Sequence, residues 1–255
     1  MEEVNPMWLR TPETIEKVLW EAPLEPATEA VVERVAREWA VQGIRGGKDE
    51  ILGGLPIVSI GWPETWALPE VYPPEKMPLA LRAKLEEADF YLVRLACSFR
   101  PVRREKQVQW ARFIVYLHPD AAGRQPIAFD LHPLMVTQEV RRNVKVTLSP
   151  SLKFHEIEGS VGGIEFGFEY SELQPIISAS GAGEARPSWD YEEAKGTRVQ
   201  GSKWMHLLLK APKGMKPVRA TLDLTADVAM HGSLLQVVMG KEEVARDRLS
   251  VKLVA

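Results

Sequence analysis

The feature that most restricts the fold is a run of strict alternation near the end of the chain. In residues 218–228, apolar residues occupy every even position, and arginine, threonine or aspartate occupies every odd position. Successive residues of a β-strand point to opposite faces of the sheet, so this period of two gives one buried face and one solvated face. The run therefore predicts a half-buried antiparallel strand.

Short runs of the same kind recur from residue 90 to the end of the chain. They are separated by glycine, proline and serine, with no helical pattern long enough to serve as a crossover between parallel strands. The runs are residues 91–99, 109–117, 144–148, 164–170, 174–179, 203–210, 234–239 and 248–254. Their number and spacing predict a mostly β protein, an antiparallel β-sandwich over residues 90–255, with a closed barrel as the alternative.

The first part of the chain has a helical period instead. Thr11, followed by proline and glutamate, is typical of a helix start, and Ile15, Val18 and Leu19 would share one face of that helix. A second helix is predicted to begin after Thr28. It has an apolar stripe, and Gly43 lies just past its end. The stripe consists of Val31, Val32, Val35, Ala36 and Trp39. Residues 1–45 are therefore predicted to be a small helical preface.

Residues 46–89 are rich in glycine and proline, which interrupt both helices and central strands. Their apolar content is too high for a free linker. The composition predicts an irregular wrap that lies against the β domain and ends in a short helix at residues 79–88.

Charge and cysteine content restrict the class of protein. The net charge of -3 and the pI near 6.0 do not favour binding to nucleic acid. The only cysteine, Cys97, lies in an apolar run, and the N-terminal residues lack the basic and apolar regions of a secretory signal. No apolar run is long enough to span a membrane as a helix. These features predict a cytoplasmic protein that needs no cofactor and contacts no membrane.

A loose cluster of polar residues suggests a metal site. Asp130 and His132 are two residues apart and would point to the same face of a strand, and His118 could join them from a neighbouring strand end. Two imidazoles and a carboxylate can hold zinc or non-haem iron. Each histidine also precedes a proline, which is typical of a turn at the end of a strand, so a purely structural role is the alternative.

Two further features indicate partner binding. The connection between the first two predicted strands is basic, and as the tip of a hairpin it could bind an acidic protein surface. The segment of residues 61–66 places two large aromatic rings around a proline, which is typical of a recognition surface. The candidate partner-binding residues are Trp62, Trp66, Arg100, Arg103, Arg104 and Lys106.

Nearly all of the sequence pattern places apolar side chains in a core, and no arrangement of a nucleophile and a base is visible. The sequence therefore favours a non-enzymatic protein-interaction or accessory module, of the kind found in bacterial regulatory or defence complexes. One alternative is a metal-dependent hydrolase or oxygenase that uses His118, Asp130 and His132. Another is a sandwich that binds carbohydrate or a small ligand through exposed tryptophans.

Overall fold

Two large antiparallel β-sheets form the framework of the molecule. The computed structural model describes residues 17–71, 79–136, 143–148, 164–169, 176–194, 198–239 and 249–255. Both large sheets are open rather than closed on themselves. The predicted antiparallel, mostly β sandwich is confirmed, and the barrel alternative is wrong.

The first sheet contains six strands in the order β1-β3-β5-β13-β7, with β4 paired to β5 beside β3. Its longest ladder joins β5 to β13 along almost their whole length. The strands are β1 Val18–Pro23, β3 Ile57–Gly61, β4 Glu64–Ala67, β5 Ala88–Arg100, β7 Ile127–His132 and β13 Gly201–Pro212.

The second sheet contains eight strands in the order β2-β15-β14-β6-β12-β11-β8, with β16 paired to β14. The predicted half-buried strand at residues 218–228 is β14, and its buried residues alternate with half-buried or exposed ones as expected. The strands are β2 Glu25–Pro26, β6 Gln107–Leu117, β8 Met135–Val136, β11 Ile176–Ser180, β12 Ser188–Glu192, β14 Val218–Met230, β15 Ser233–Val238 and β16 Ser250–Val254.

A third sheet consists of two strands alone, β9 Asn143–Leu148 and β10 Ile164–Glu169. These strands pair in antiparallel register. In the described ranges, they are hydrogen-bonded only to each other.

One apolar cluster joins the two large sheets. Val93 of β5 and Leu207 of β13 belong to the same cluster as Phe113 of β6 and Leu222 of β14, and all four are almost fully buried. Cys97 is also in this cluster, where burial raises the pKa of its thiol to about 12. A thiol in that state is protonated and unreactive at neutral pH.

Four helices lie in the described ranges: α1 Glu29–Val41, α2 Lys48–Leu52, α3 Leu68–Val71 and α4 Leu79–Glu87. The predicted stripe of α1 is correct in its main residues, since Val32, Val35 and Trp39 are buried in the core cluster. Gly43 follows the helix with φ of 71°, a left-handed conformation that glycine adopts without steric cost. The helix predicted at residues 79–88 corresponds to α4.

The Thr28 hydroxyl caps α1 by accepting a hydrogen bond from the backbone N–H of Val31 at 3.3 Å. Replacing Thr28 with alanine should lower the free energy of unfolding by about 1 kcal/mol, because that N–H loses its partner at the helix start. Urea denaturation would measure the change. Thr28→Ser keeps the hydroxyl and should cost much less, so equal losses in the two variants would contradict the capping role.

The first predicted helix differs from the structure. Val18 and Leu19 lie in β1, which pairs with β3, and Ile15 lies outside the described residues. The predicted helix start at Thr11 also lies outside the described residues, and the pairing of β1 with β3 is one that a single-sequence pattern does not contain. Pairing with β3 decides the conformation of this stretch, since tertiary context overrides weak local propensity.

The predicted wrap contains regular structure as well. Both β3 and β4 hydrogen-bond to β5, so residues 57–67 belong to the first sheet. Pro56 lies just before β3, and Pro63 lies between β3 and β4. Proline is tolerated at such positions because no ladder hydrogen bond is required of it there.

Candidate functional site

The three predicted metal ligands do not come together. Asp130 and His132 are buried on β7, in the first sheet. His118 follows β6 in the second sheet, and its Nε2 lies 2.7 Å from the hydroxyl oxygen of Thr221. Within the described part of the chain, no group of three or more His, Cys, Asp or Glu side chains is placed to hold a metal ion. We therefore assign no metal to these residues.

His132 belongs instead to a row of polar residues that crosses four strands of the first sheet. It pairs in register with His206 of β13, His206 pairs with Arg94 of β5, and Arg94 pairs with Glu64 of β4. Residues in direct register across neighbouring strands lie on the same face of a sheet. We call Glu64, Arg94, His206 and His132 the polar row.

Arg94 lies at the centre of the charged part of this row. Its guanidinium forms an ion pair with the carboxylate of Glu64. Its Cζ lies 5.7 Å from the ring centroid of Trp66 and 5.1 Å from that of Trp204. The side chain is only 10% exposed. Two aromatic rings and one carboxylate thus hold a nearly buried positive charge, an arrangement in which cation–π attraction is strengthened by desolvation.

The two histidines of the row are neutral at physiological pH. Burial lowers the pKa of His132 to about 4. Burial lowers the pKa of His206 well below its ordinary value, and the nearby His132 and Arg94 lower it further. The two rings are tilted, with centroids 6.3 Å apart. A proton on either ring would lie in a poorly solvated region, which is why both pKa values fall.

Sequence reasoning found His132 but missed Arg94 and His206. Each lies between apolar residues of its strand, and the two pair with each other although they are more than 100 positions apart in the chain. The available signal in the sequence was an arginine or a histidine placed between the apolar residues of a predicted strand. Only the strand register shows that these residues are neighbours.

The predicted basic hairpin is wrong in its geometry. Strand β5 belongs to the first sheet and β6 to the second, so the connection between them crosses from sheet to sheet. Arg100 forms an ion pair with Glu21 and donates to the Ser59 hydroxyl at 2.9 Å. Arg103 forms an ion pair with Glu50 of α2.

Arg104 is exposed.

Lys106, the last of the predicted basic residues, is buried and contacts the end of α2. Its side chain is 1% exposed, and its Nζ donates to the backbone carbonyls of Glu50, Ile51 and Gly53. These carbonyls lie at the end of α2, where a helix leaves acceptors without internal partners. Burial lowers the pKa of the Lys106 ammonium. Lys106 therefore binds α2 to the sandwich rather than presenting a charge to a partner.

The two predicted aromatic residues differ in exposure. Trp62 is 45% exposed and lies beside Lys17, whose Nζ is 5.2 Å from the ring centroid. Trp66 is half-buried and packs on Arg94 of the polar row. They do not form one continuous exposed pair.

The small sheet of β9 and β10 has a distinctive register. Val144, Val146 and Leu148 occupy alternate positions of β9, and their partners in β10 are Phe168, Phe166 and Ile164. The intervening pairs are polar or contain glycine. Apolar positions therefore lie opposite apolar positions along the whole ladder.

No helix in the described ranges has both the length and the apolar character needed to cross a membrane.

Comparisons with known proteins found only structural resemblance. No protein-family model matches the sequence. No curated protein matches it either. A solved structure described as a pore forming protein is 12% identical, with a TM-score of 0.37, and the match covers 62% of this chain and 78% of the other.

Two toxins of Clostridium perfringens show similar resemblance. The match to delta-toxin has 8% identity and a TM-score of 0.36, and covers 73% of this chain and 86% of the toxin chain. The match to the NetB toxin in its membrane inserted form has 11% identity and a TM-score of 0.31, and covers 62% and 82%. At these TM-scores the resemblance assigns no activity to this chain.

The descriptions of these structures nevertheless oppose several of the sequence predictions. All three are of pore-forming or toxin proteins, and one is membrane inserted. The predicted cytoplasmic accessory module, which binds an acidic protein partner and contacts no membrane, is contradicted by these findings and is withdrawn.

Proposed function

We propose that the chain binds lipid membranes through the small sheet of β9 and β10. The observation that carries the proposal is the register of this sheet. Val146 lies opposite Phe166, whereas the next pair, Thr147 and Glu165, is polar. Six apolar residues thus occupy the alternate, paired positions of two short strands. This pattern is typical of a sheet with one face in water and one face in an apolar medium.

The small sheet needs a surface to cover its apolar positions. Two strands alone are at best marginally stable in water, because they bury too little apolar area. In the described ranges, neither β9 nor β10 is hydrogen-bonded to the large sheets. Among the described residues, moving this sheet onto a bilayer would therefore break no backbone hydrogen bond to the two large sheets.

The depth of binding follows from the edges of the sheet. Each of the two strands has one edge that pairs with no other described strand. Unpaired N–H and C=O groups are not tolerated in the hydrocarbon core, where water is absent. Near the lipid headgroups, water and polar lipid groups can satisfy them. We therefore place the small sheet at the bilayer interface, with its apolar positions toward the acyl chains.

The charges of the small sheet do not select anionic lipid. Lys145 in β9 is accompanied by Glu165 and Glu169 in β10. Acidic and basic residues of this kind give little net attraction to a negative surface. Binding should then depend on apolar burial, so vesicles of zwitterionic phosphatidylcholine are the appropriate probe.

Replacing Val146 with lysine tests the proposal. The ammonium would enter the apolar contact with the lipid, so the partition coefficient for phosphatidylcholine vesicles should fall at least tenfold. Vesicle flotation of the full chain would measure it.

Thr147→Lys is the matched control, because it adds the same charge at the neighbouring position of the same strand. This variant should bind within about twofold of the unmodified chain, since the ammonium would remain in water. Equal losses in the two variants, or no binding by the unmodified chain, would overturn the proposal.

A further inference from the structure

Two positive side chains lie side by side on the second sheet, near the start of β14. Arg219 of β14 is directly opposite Lys252 of β16. Each of them is flanked in its strand by residues of the apolar core, so both side chains point away from the core. Both residues are exposed. We call Arg219 and Lys252 the basic pair.

A bulge in β16 sets this register. Val218 lies opposite Val254, whereas the next residue, Arg219, lies opposite Lys252, so Leu253 is the extra residue of the bulge. Bulges of this kind re-aim side chains and are frequent beside functional sites. Here the bulge places two positive charges opposite each other, although like charges in direct register destabilise a sheet.

The positive charges of the basic pair are not offset by a protein carboxylate. Within the described part of the chain, neither side chain forms an ion pair or a hydrogen bond. Two carboxylates that are close in the sequence have other contacts. The carboxylate of Asp120 accepts a hydrogen bond from the Arg124 guanidinium at 2.7 Å. Asp223 lies opposite Ile114, and its Oδ1 accepts from the backbone N–H of Leu224 at 2.8 Å.

Hydroxyl groups border the basic pair on the same face. Thr221 and Ser250 are register partners, each two positions along its strand from the pair. The Thr221 hydroxyl oxygen lies 2.7 Å from Nε2 of His118, whose backbone N–H donates to the Arg219 carbonyl at 3.0 Å. A phosphate group has three strong acceptor oxygens and carries about -1.5 to -2 charges at pH 7. One such group would offset both charges of the pair and accept from the donors around it.

The surroundings of the pair favour a soluble ligand over a lipid headgroup. Among the described residues, none of the large apolar side chains that are exposed belongs to β16 or to residues 218–224 of β14. Stable binding at a bilayer interface needs apolar area that enters the headgroup region. The face continues instead with threonine and aspartate residues of β14.

We propose that the basic pair binds the phosphate group of a soluble phosphate monoester. Arg219 supplies a planar guanidinium that donates two parallel hydrogen bonds, and Lys252 supplies a second, more compact positive charge. The hydroxyls of Thr221 and Ser250 donate to the remaining phosphate oxygens. The bound anion offsets the repulsion within the pair. This site belongs to the second sheet and does not depend on the membrane surface of β9 and β10.

The experiment measures binding of glycerol phosphate to the full chain by isothermal titration calorimetry. The measurement is made at about pH 7.5, where a monoester is largely dianionic, with sodium chloride of equal ionic strength as the reference. Arg219→Gln/Lys252→Gln should weaken binding at least tenfold, since it removes both charge-assisted contacts. Glycerol phosphate should also raise the melting temperature of the unmodified chain but not that of the variant, because the ligand stabilises the state that binds it.

The matched control is Arg37→Gln/Arg186→Gln, which removes the same charge from two other exposed positions. Arg37 lies in α1. Arg186 stacks on Tyr116 of β6, with its Cζ 4.9 Å from the ring centroid. It is two strand spacings from Arg219, roughly 10 Å across the sheet, too far to share one phosphate group. Charges at that distance are largely screened by salt, so the control should bind within about twofold of the unmodified chain.

The outcomes separate the pair from folding defects and from lipid. In sodium chloride alone, Arg219→Gln/Lys252→Gln should melt no lower than the unmodified chain, because the like-charge repulsion is gone. If it does not fold, Lys252→Gln alone should weaken binding at least threefold.

No binding by the unmodified chain, or equal losses in the two double variants, would overturn the proposal. Phosphatidylcholine vesicles that contain phosphatidic acid test the other source of the phosphate group. Binding to these vesicles through the basic pair, without binding of glycerol phosphate, would overturn the soluble ligand. Val146→Lys should bind glycerol phosphate as the unmodified chain does, so failure of the membrane proposal would leave this result unchanged.

Discussion

Replacing Trp189 with alanine should lower the free energy of unfolding by about 3–5 kcal/mol, the range for removing a large aromatic side chain from a packed core. Trp189 lies in β12 and is fully buried. Its register partners are Phe113 of β6 and Ala179 of β11, so it sits in the middle of the second sheet. Domains of ordinary stability have about 5–15 kcal/mol in total, so the loss would be large. Urea denaturation followed by far-UV circular dichroism would measure it.

Trp62→Ala is the matched control, because it removes the same side chain from a site that is 45% exposed. The ring loses its contact with Lys17 and a modest apolar area, so the expected cost is below about 1 kcal/mol. Similar losses in the two variants would contradict the placement of Trp189 at the core of the sandwich.

Replacing Lys106 with methionine should lower the free energy of unfolding by about 2–3 kcal/mol. Methionine has nearly the same length but donates no hydrogen bond, so three backbone carbonyls at the end of α2 would lose their partner. A buried acceptor left without a partner costs about 1–3 kcal/mol. Methionine also removes the cost of burying the ammonium charge, which offsets part of the loss from the three carbonyls.

The effect of Lys106→Met should also be local. Hydrogen exchange should accelerate most at the amides of α2, because this short helix is held in place by Lys106 and by the ion pair between Arg103 and Glu50. Arg104→Met removes an exposed cation from the same connection and should change the free energy of unfolding by less than about 0.5 kcal/mol. If Arg104→Met lowers the free energy of unfolding as much as Lys106→Met does, the hydrogen bonds of the buried Lys106 ammonium are not the source of the stability.

Features determined by neighbouring residues were predictable from the sequence. The alternation in β14 identified its buried face, and Thr28 identified the start of α1. Both signals are local, because a strand face or a helix cap involves residues only a few positions apart. The antiparallel sandwich followed from the number of such strands and the absence of crossover helices.

Features determined by distant pairing were not predictable. Strands β5 and β6 are adjacent in the sequence and look like a hairpin, yet they belong to different sheets. Strands β1, β3 and β4 form because β1 pairs with β3, and β3 and β4 both pair with β5. A period of two shows which residues share a face, but it does not show which strand lies alongside.

The same limitation applies to the candidate site. His132 was identified as a residue of interest, but its neighbour His206 comes from a strand more than 70 residues further along the chain. Lys106 and Arg103 looked like free charges, although both contact α2. A long basic side chain can extend into solvent or can bind carbonyl groups at a buried helix end, and composition does not distinguish the two.

The pairing of β2 with β15 has a consequence for synthesis of the chain. Pro26 of β2 lies opposite Val237 of β15, so β2 can pair only after residue 237 has been synthesised. A ribosome that adds about 5–20 residues per second needs on the order of 10–40 s to cover the interval. For most of that time β2 has left the exit tunnel while β15 does not yet exist. The edge of β2 that faces Val237 and Val238 therefore stays unpaired until those residues have been made.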